Sequence, residues 1–224
     1  MKGLGLEREE GRLVLRDFDD PRVLPLSVDF LSPTLLHRLR HGLRKSQPMA
    51  RALGLRGSAA PLVFDATAGL GVDAFIMAAY GCRVRAFERS PEVFQLLEDG
   101  YQRLRAHEGD ERLSEIASRL SFEHGNAVEI LRALPPSDAP DIVYLDPMYP
   151  EEGRSKSALP KKGMQMFRRL IGEDQDVNEL LAAARAAARE RVVVKRPLYA
   201  AQGDGVAHSF EGKTARFDMY LRGR

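Results

Sequence analysis

Beyond residue 57 the chain alternates short apolar runs with longer stretches of helical character, and that alternation admits few architectures. The runs are Leu62–Asp65, Arg83–Glu88, residues 120–123, residues 142–146 and residues 192–195. Helices are predicted over residues 72–80, 91–107, 127–134 and 177–189, with a further short one before residue 120. Gly81 reads as a stop for the first of them, Ser90-Pro91 as the start of the second, and Asp176 with Glu179 as a capping box for the last. Strands joined through helices pair in parallel, because each crossover returns the chain to the same end of the sheet. The tail, residues 206–211 and then Ala215–Leu221, reads as an antiparallel hairpin turning at Gly212-Lys213. The expected fold is α/β, a mostly parallel seven-stranded sheet with helices on both faces. Ligands of such sheets bind beyond the carboxyl ends of the strands, so residues there are the first functional candidates.

Residues 1–57 read as a small N-terminal β/helical extension and residues 58–224 as the main domain. Apolar residues 4–6 and 13–15 flank a polar stretch, which suggests a hairpin, and residues 31–57 look helical and basic. At 224 residues the chain suits one domain with a small appendage, and 44% apolar residues can build a core for it. The only cysteine, Cys82, excludes an intramolecular disulfide. No Cys/His cluster has zinc-ligand spacing, so no metal is expected. No apolar run approaches the ~20 residues that cross a bilayer, and residues 1–12 lack the apolar core of a signal peptide. A cytoplasmic protein with no membrane partner is the expectation.

The first strand of the alternation ends in Asp65-Ala66-Thr67-Ala68-Gly69-Leu70-Gly71-Val72-Asp73. Small residues and two glycines let the backbone turn tightly and approach a ligand, and the following helix offers unpaired N–H groups. Position 74 is Ala, where the dinucleotide fingerprint has its third glycine. The segment instead resembles the S-adenosylmethionine loop of class I methyltransferases. Its bland reading is a tight strand–helix turn. The second strand ends at Glu88-Arg89, 17 residues beyond Gly71, where a carboxylate accepts hydrogen bonds from both ribose hydroxyls. The third is followed by Asn126-Ala127. Asn126 can donate to and accept from an adenine edge, and is also a good helix N-cap.

The strongest local signal is Asp146-Pro147-Met148-Tyr149-Pro150 after the fourth strand. It resembles the [DNS]-P-P-[YFW] motif of amino-group methyltransferases, with Met148 at the second proline. The lone pair of an exocyclic base amine is delocalised into the ring, so the amine is a poor nucleophile. Asp146 can accept one amine hydrogen, orient the nitrogen and draw the lone pair out of conjugation. Pro147 stiffens the turn, and Tyr149 offers a ring on which a base can stack. Two acid-free basic runs flank this centre. One carries Arg38, Arg40, Arg44 and Lys45, the other Lys156, Lys161 and Lys162, and Lys195-Arg196 ends the fifth strand at the same sheet edge. Together they read as a phosphate-binding surface, although the net charge is only +2.

The segments DATAGLGVDAF, GCRVRAFER, VYLDPMYP, KSALPKKGMQMFRRLIG and RVVVKRP together resemble the bacterial 16S ribosomal RNA guanine-N2 methyltransferases, the small-subunit methyltransferase J family. The resemblance implies a Rossmann-like class I fold, S-adenosyl-L-methionine as cofactor, and methyl transfer to N2 of one guanosine of 16S rRNA, free or in an assembling small subunit. It carries cofactor binding onto Val72, Asp73, Glu88, Arg89, Asn126, Ala127 and Asp146, beside Asp65, Gly69 and Gly71 from the loop itself. Asn126 departs from the serine that can stand at this position in the family. The residues alone leave open an adenine-N6 methyltransferase of RNA or DNA, a glutamine-N5 methyltransferase of protein, and a non-catalytic RNA-binding assembly factor on the same scaffold.

Overall fold

The computed structural model describes residues 3–55, 60–149, 162–172 and 176–222. A hairpin of β1 (Leu4–Glu9) and β2 (Arg12–Asp17) opens the chain. Its strands are longer than the apolar residues suggested. The polar stretch belongs to the strands, and the reversal is a tight turn at Glu10 (φ 49°) and Gly11 (φ 79°). Positive φ at both central residues matches the twist of the flanking strands. The expected helical segment over 31–57 is two short helices, α1 (Pro33–His41) and α2 (Pro48–Ala52), each with a proline in its first turn.

The alternation then runs β3 (Leu62–Asp65), α3 (Val72–Ala79), β4 (Arg83–Glu88), α4 (Pro91–Arg105), α5 (Glu111–Ser118), β5 (Leu120–His124), α6 (Ala127–Ala133) and β6 (Ile142–Leu145). It continues with α7 (Lys162–Ile171), α8 (Val177–Ala187), β7 (Arg191–Pro197), β8 (His208–Glu211) and β9 (Ala215–Leu221). Seven strands form one sheet in the order β5-β4-β3-β6-β7-β9-β8, in which the pairings β7–β9 and β9–β8 are antiparallel and the rest parallel. The chain leaves β3 toward β4 on one side and later returns as β6 on the other. The crevice of this sheet therefore opens beyond the ends of β3 and β6.

Ser90 caps α4 by accepting from the Val93 N–H, as expected of Ser-Pro. The capping box expected at α8 does not form. Asp176 makes no side-chain cap bond and turns to Arg89 at 3.2 Å, while Glu179 pairs with Arg132 at 2.7 Å. An arginine offers either carboxylate a charge-assisted bond, stronger than the neutral cap.

The N-terminal segment has no core of its own. Leu15, Val28, Phe30, Leu35, Leu39, Met49 and Leu53 are buried in the same cluster as Phe75, Ile76 and Leu97. Phe30 stacks on Phe75 with ring centroids 5.5 Å apart. Two glycines permit this closeness. A Cβ on Gly71 would lie 2.8 Å from Phe30 Cζ, and one on Gly100, inside α4, would lie 2.5 Å from Val28 Cγ1. Cys82 lies in this core, where burial pushes its thiol up to about 12, so a reactive thiolate is disfavoured.

Candidate active site

Backbone bonds stitch the carboxyl ends of four strands, β3 to β6, into one rim. The Ala66 N–H donates to the Tyr144 carbonyl at 2.9 Å, Ala68 N–H to Phe87 at 3.0 Å, and Gly125 N–H to Glu88 at 2.9 Å. On this rim the loop after β3 turns through Gly69 (φ 53°) and Gly71 (φ 74°), both left-handed, before α3 begins. The Glu88 carboxylate braces the loop: Oε2 accepts from the Gly69 N–H at 2.9 Å and Oε1 from the Ser90 N–H at 2.8 Å. Asp65 is buried and accepts from the Thr67 N–H at 3.1 Å. Burial pushes its carboxyl up to about 8. Asp73 and Asp146 add to that, while the Thr67 N–H and Lys195 oppose it.

Two cavities meet here. The smaller, about 270 Å³, lies over β4 and β5 and is lined by Glu88, Arg89, Asn126, Ala127 and Asp176 among others. The larger, about 800 Å³, lies over β6 and β7 and is lined by Asp65, Val72, Asp73, Pro147, Tyr149, Lys195, Arg196 and Arg38 among others. Thr67, Gly69, Asp146, Met148 and Phe167 line both. Asp146 thus stands at the junction, its N–H donating to Thr67 Oγ1 at 2.6 Å.

The sequence-predicted site residues divide unevenly over this geometry. Asp65, Gly69, Val72, Asp73, Glu88, Arg89, Asn126, Ala127, Asp146, Pro147 and Tyr149 all line one cavity or the other, and Gly71 caps α3 between them. Asn126 uses Oδ1 to cap α6, accepting from the Val128 N–H at 2.9 Å. Its amide NH2 remains a donor, of the kind that suits a ring nitrogen. The Tyr149 ring has the Arg196 guanidinium 5.4 Å from its centroid and is half-buried. Burial pushes the Tyr149 hydroxyl up, away from ionisation.

The basic surface is less uniform than the charge runs implied. Arg38 lines the larger cavity, whereas Arg40, Arg44 and Lys45 are exposed on α1 and the loop after it without lining it. Lys156, Lys161 and Pro150 lie outside the described residues, and Lys162 opens α7. Lys195 and Arg196, read as phosphate-facing, are engaged by protein instead. The Lys195 ammonium donates to Asp73 at 2.8 Å and Asp146 at 2.7 Å, and Arg196 pairs with buried Asp218 at 3.2 Å.

Some lining residues were not read from the sequence. Phe167, on α7, lines both cavities, and the periodic spacing Met164, Phe167, Leu170 and Ile171 inside the basic run was the available signal. Met164, Leu198 and Tyr199, all exposed apolar residues, gather around the larger cavity beside the predicted Val72. No group of three or more metal-ligating side chains occurs among the described residues, and none of their helices is long and apolar enough to cross a membrane.

A mostly parallel sheet with a glycine loop at its switch point, a carboxylate on the next strand and an acid-proline turn after the fourth defines the S-adenosylmethionine-dependent methyltransferase class. A family model of SAM-dependent methyltransferases matches residues 2–222. Ribosomal RNA small subunit methyltransferase J of Haemophilus influenzae (strain PittGG) is 46% identical, over 97% of this chain and 83% of the relative. The protein of that name from Shewanella amazonensis is 47% identical, over 96% and 85%. The chain belongs to the ribosomal RNA small subunit methyltransferase J family. A crystal structure of a SAM-dependent methyltransferase from Neisseria gonorrhoeae, 38% identical, superposes with a TM-score of 0.76 over 99% of this chain and 84% of that one.

Proposed function

We propose that this enzyme transfers a methyl group from S-adenosylmethionine to the exocyclic N2 of a guanosine in 16S ribosomal RNA. The observation that carries the reading is the place of Asp146: a carboxylate on the rim shared by these two cavities of different character.

The smaller cavity suits the adenosine of the donor. Glu88 and Asn126 offer an acceptor pair and a donor, and the apolar residues Phe87, Pro91, Val128 and Leu180 form its walls. Asp73 and Val72, in the first turn of α3, and the Gly69 loop suit its amino-acid end. When bound, the sulfonium supplies an activated methyl group. What the chain contributes is approach and alignment. Asp146 accepts one hydrogen of the base amine, holds the nitrogen toward that rim and raises its electron density. Pro147, buried, holds the turn that aims it. The cationic amine formed on transfer carries two hydrogens and readily loses one of them as a proton to a carboxylate or to water.

The larger cavity suits an unpaired or flipped nucleotide. Its mouth is apolar where a base would stack, at Leu198, Tyr199 and Met164, and cationic at Arg38, where a phosphate would lie. The relatives' shared name supports ribosomal RNA of the small subunit as the substrate, and amino-group chemistry at Asp146 agrees with guanine N2. Incubating the protein and labelled donor with 16S rRNA that lacks the modification tests this. Nucleoside mass spectrometry should find N2-methylguanosine. Label on adenosine N6, or none with the donor bound, would overturn it.

A further inference from the structure

We propose that Lys195 is a positioning residue of the methyl-transfer step: its ammonium, shared between Asp73 and Asp146, aims the Asp146 carboxylate and keeps it ionised. The proposal rests on the reading of Asp146 as the amine acceptor.

Sheet register brings the pair together. β6 and β7 run parallel with Leu145 opposite Val194, so Asp146 and Lys195 are the next residues on adjacent strands. Val192, Val193 and Val194 are buried, and Lys195 is the first side chain of β7 to reach the crevice. There Nζ donates to Asp146 Oδ2 at 2.7 Å and to Asp73 Oδ2 at 2.8 Å. Asp73 also accepts from the Tyr144 hydroxyl at 2.7 Å, so the far end of the clamp is itself held by β6. Asp73 lies in the first turn of α3, just after the glycine loop. Lys195 therefore links the two halves of the reaction, the loop suited to the donor and the carboxylate suited to the acceptor.

The charge balance explains why a cation belongs here. Asp146 is faced by Lys195 and Arg196 on β7, Asp73 on α3, Tyr144 on β6, Asp65 at the end of β3 and Tyr149 in its own turn, with Arg168 on α7 and Arg38 on α1. Glu88 lies across the smaller cavity. Arg196 pairs with Asp218, and Lys195 bonds both Asp73 and Asp146. Removing its charge takes away a cation held against both carboxylates in a partly desolvated crevice, which favours the protonated form of either. A protonated Asp146 is a poor acceptor for an amine hydrogen.

The test compares wild type, Lys195→Met, Lys195→Arg and Asp146→Asn in single-turnover transfer to unmodified 16S rRNA across pH 5–9, with donor affinity measured by calorimetry. Lys195→Met should lose ~10-fold or more in rate while donor affinity changes less than ~3-fold. The acid limb of its pH–rate profile should move up by about 1 unit or more, because an adjacent cation no longer holds the carboxylate ionised. Lys195→Arg should restore the limb. An acid limb unmoved in Lys195→Met, with or without a slower rate, would overturn the proposal while an inactive Asp146→Asn leaves the parent reading standing. An Asp146→Asn variant of normal rate would sink both. Should Lys195→Met fail to fold, Lys195→Gln carries the same comparison with a polar side chain of similar reach.

Discussion

Asp65→Asn should make the protein less sensitive to alkaline pH, by an amount the structure allows to be bounded. The Asp65 side chain is only 1% exposed, and burial raises its carboxyl from the ordinary 3.8 to about 8. The unfolded chain thus releases this proton near pH 4, and the folded one holds it until near pH 8. Between those values the native state binds the extra proton, so stability falls as pH rises and levels off above the folded value. Between pH 5 and pH 8, about three units at ~1.4 kcal/mol each give an upper limit of roughly 4 kcal/mol, and any water reaching the loop reduces it, so a change of about 2–4 kcal/mol is expected. Asparagine cannot ionise, yet its oxygen can still accept from the Thr67 N–H. Urea unfolding at pH 5 and pH 8.5 measures the difference. Wild type should lose stability relative to the variant between the two. A constant difference across that window would refute the assignment of a buried, neutral Asp65.

Other perturbations separate loop, donor and RNA. Gly71→Ala combines a left-handed φ of 74° with a Cβ placed 2.6 Å from Leu97 Cδ1, and should cost about 2–4 kcal/mol in urea unfolding. An unchanged midpoint would show that the loop relaxes freely. Glu88→Gln sets an amide NH2 against one of the two backbone N–H groups the carboxylate now satisfies, at Gly69 and Ser90. Donor affinity by calorimetry should fall ~10-fold or more. A wild-type dissociation constant would remove Glu88 from the donor site. Reversing Lys161 and Lys162 to Glu should weaken RNA binding and flatten its salt slope by roughly 1–2. An unaltered slope would take this segment off the interface.

Much of the architecture was legible because the β3–α3–β4–α4 alternation, the Ser90-Pro91 cap and the reversal near Gly212 are each set by local chemistry. Fold and parallel order follow from such signals. The same holds for the loop through Gly69 and Gly71, since only glycine takes its left-handed turns at low cost. What escaped is set by partners distant in sequence. α7 was hidden because its charges drew attention from the apolar spacing beneath them, and Phe167 with it. Asp176 looked like a cap because the sequence does not reveal that Arg89, on another element, would reach it. Lys195 looked like a phosphate ligand because only the pairing of β6 with β7 places its ammonium between two carboxylates. Arg169, in the acid-free stretch that holds Lys161 and Lys162, bonds buried Asp17 of the N-terminal hairpin.

The central claim is that the carboxylate of Asp146 acts on the amine in the transition state rather than in binding the donor. Single-turnover methyl transfer by Asp146→Asn, with donor and 16S rRNA both saturating, tests it most directly. The rate should fall ~100-fold or more while the donor dissociation constant stays near that of the wild type. Transfer at the wild-type rate would contradict the account, as would a defect abolished by raising the donor concentration.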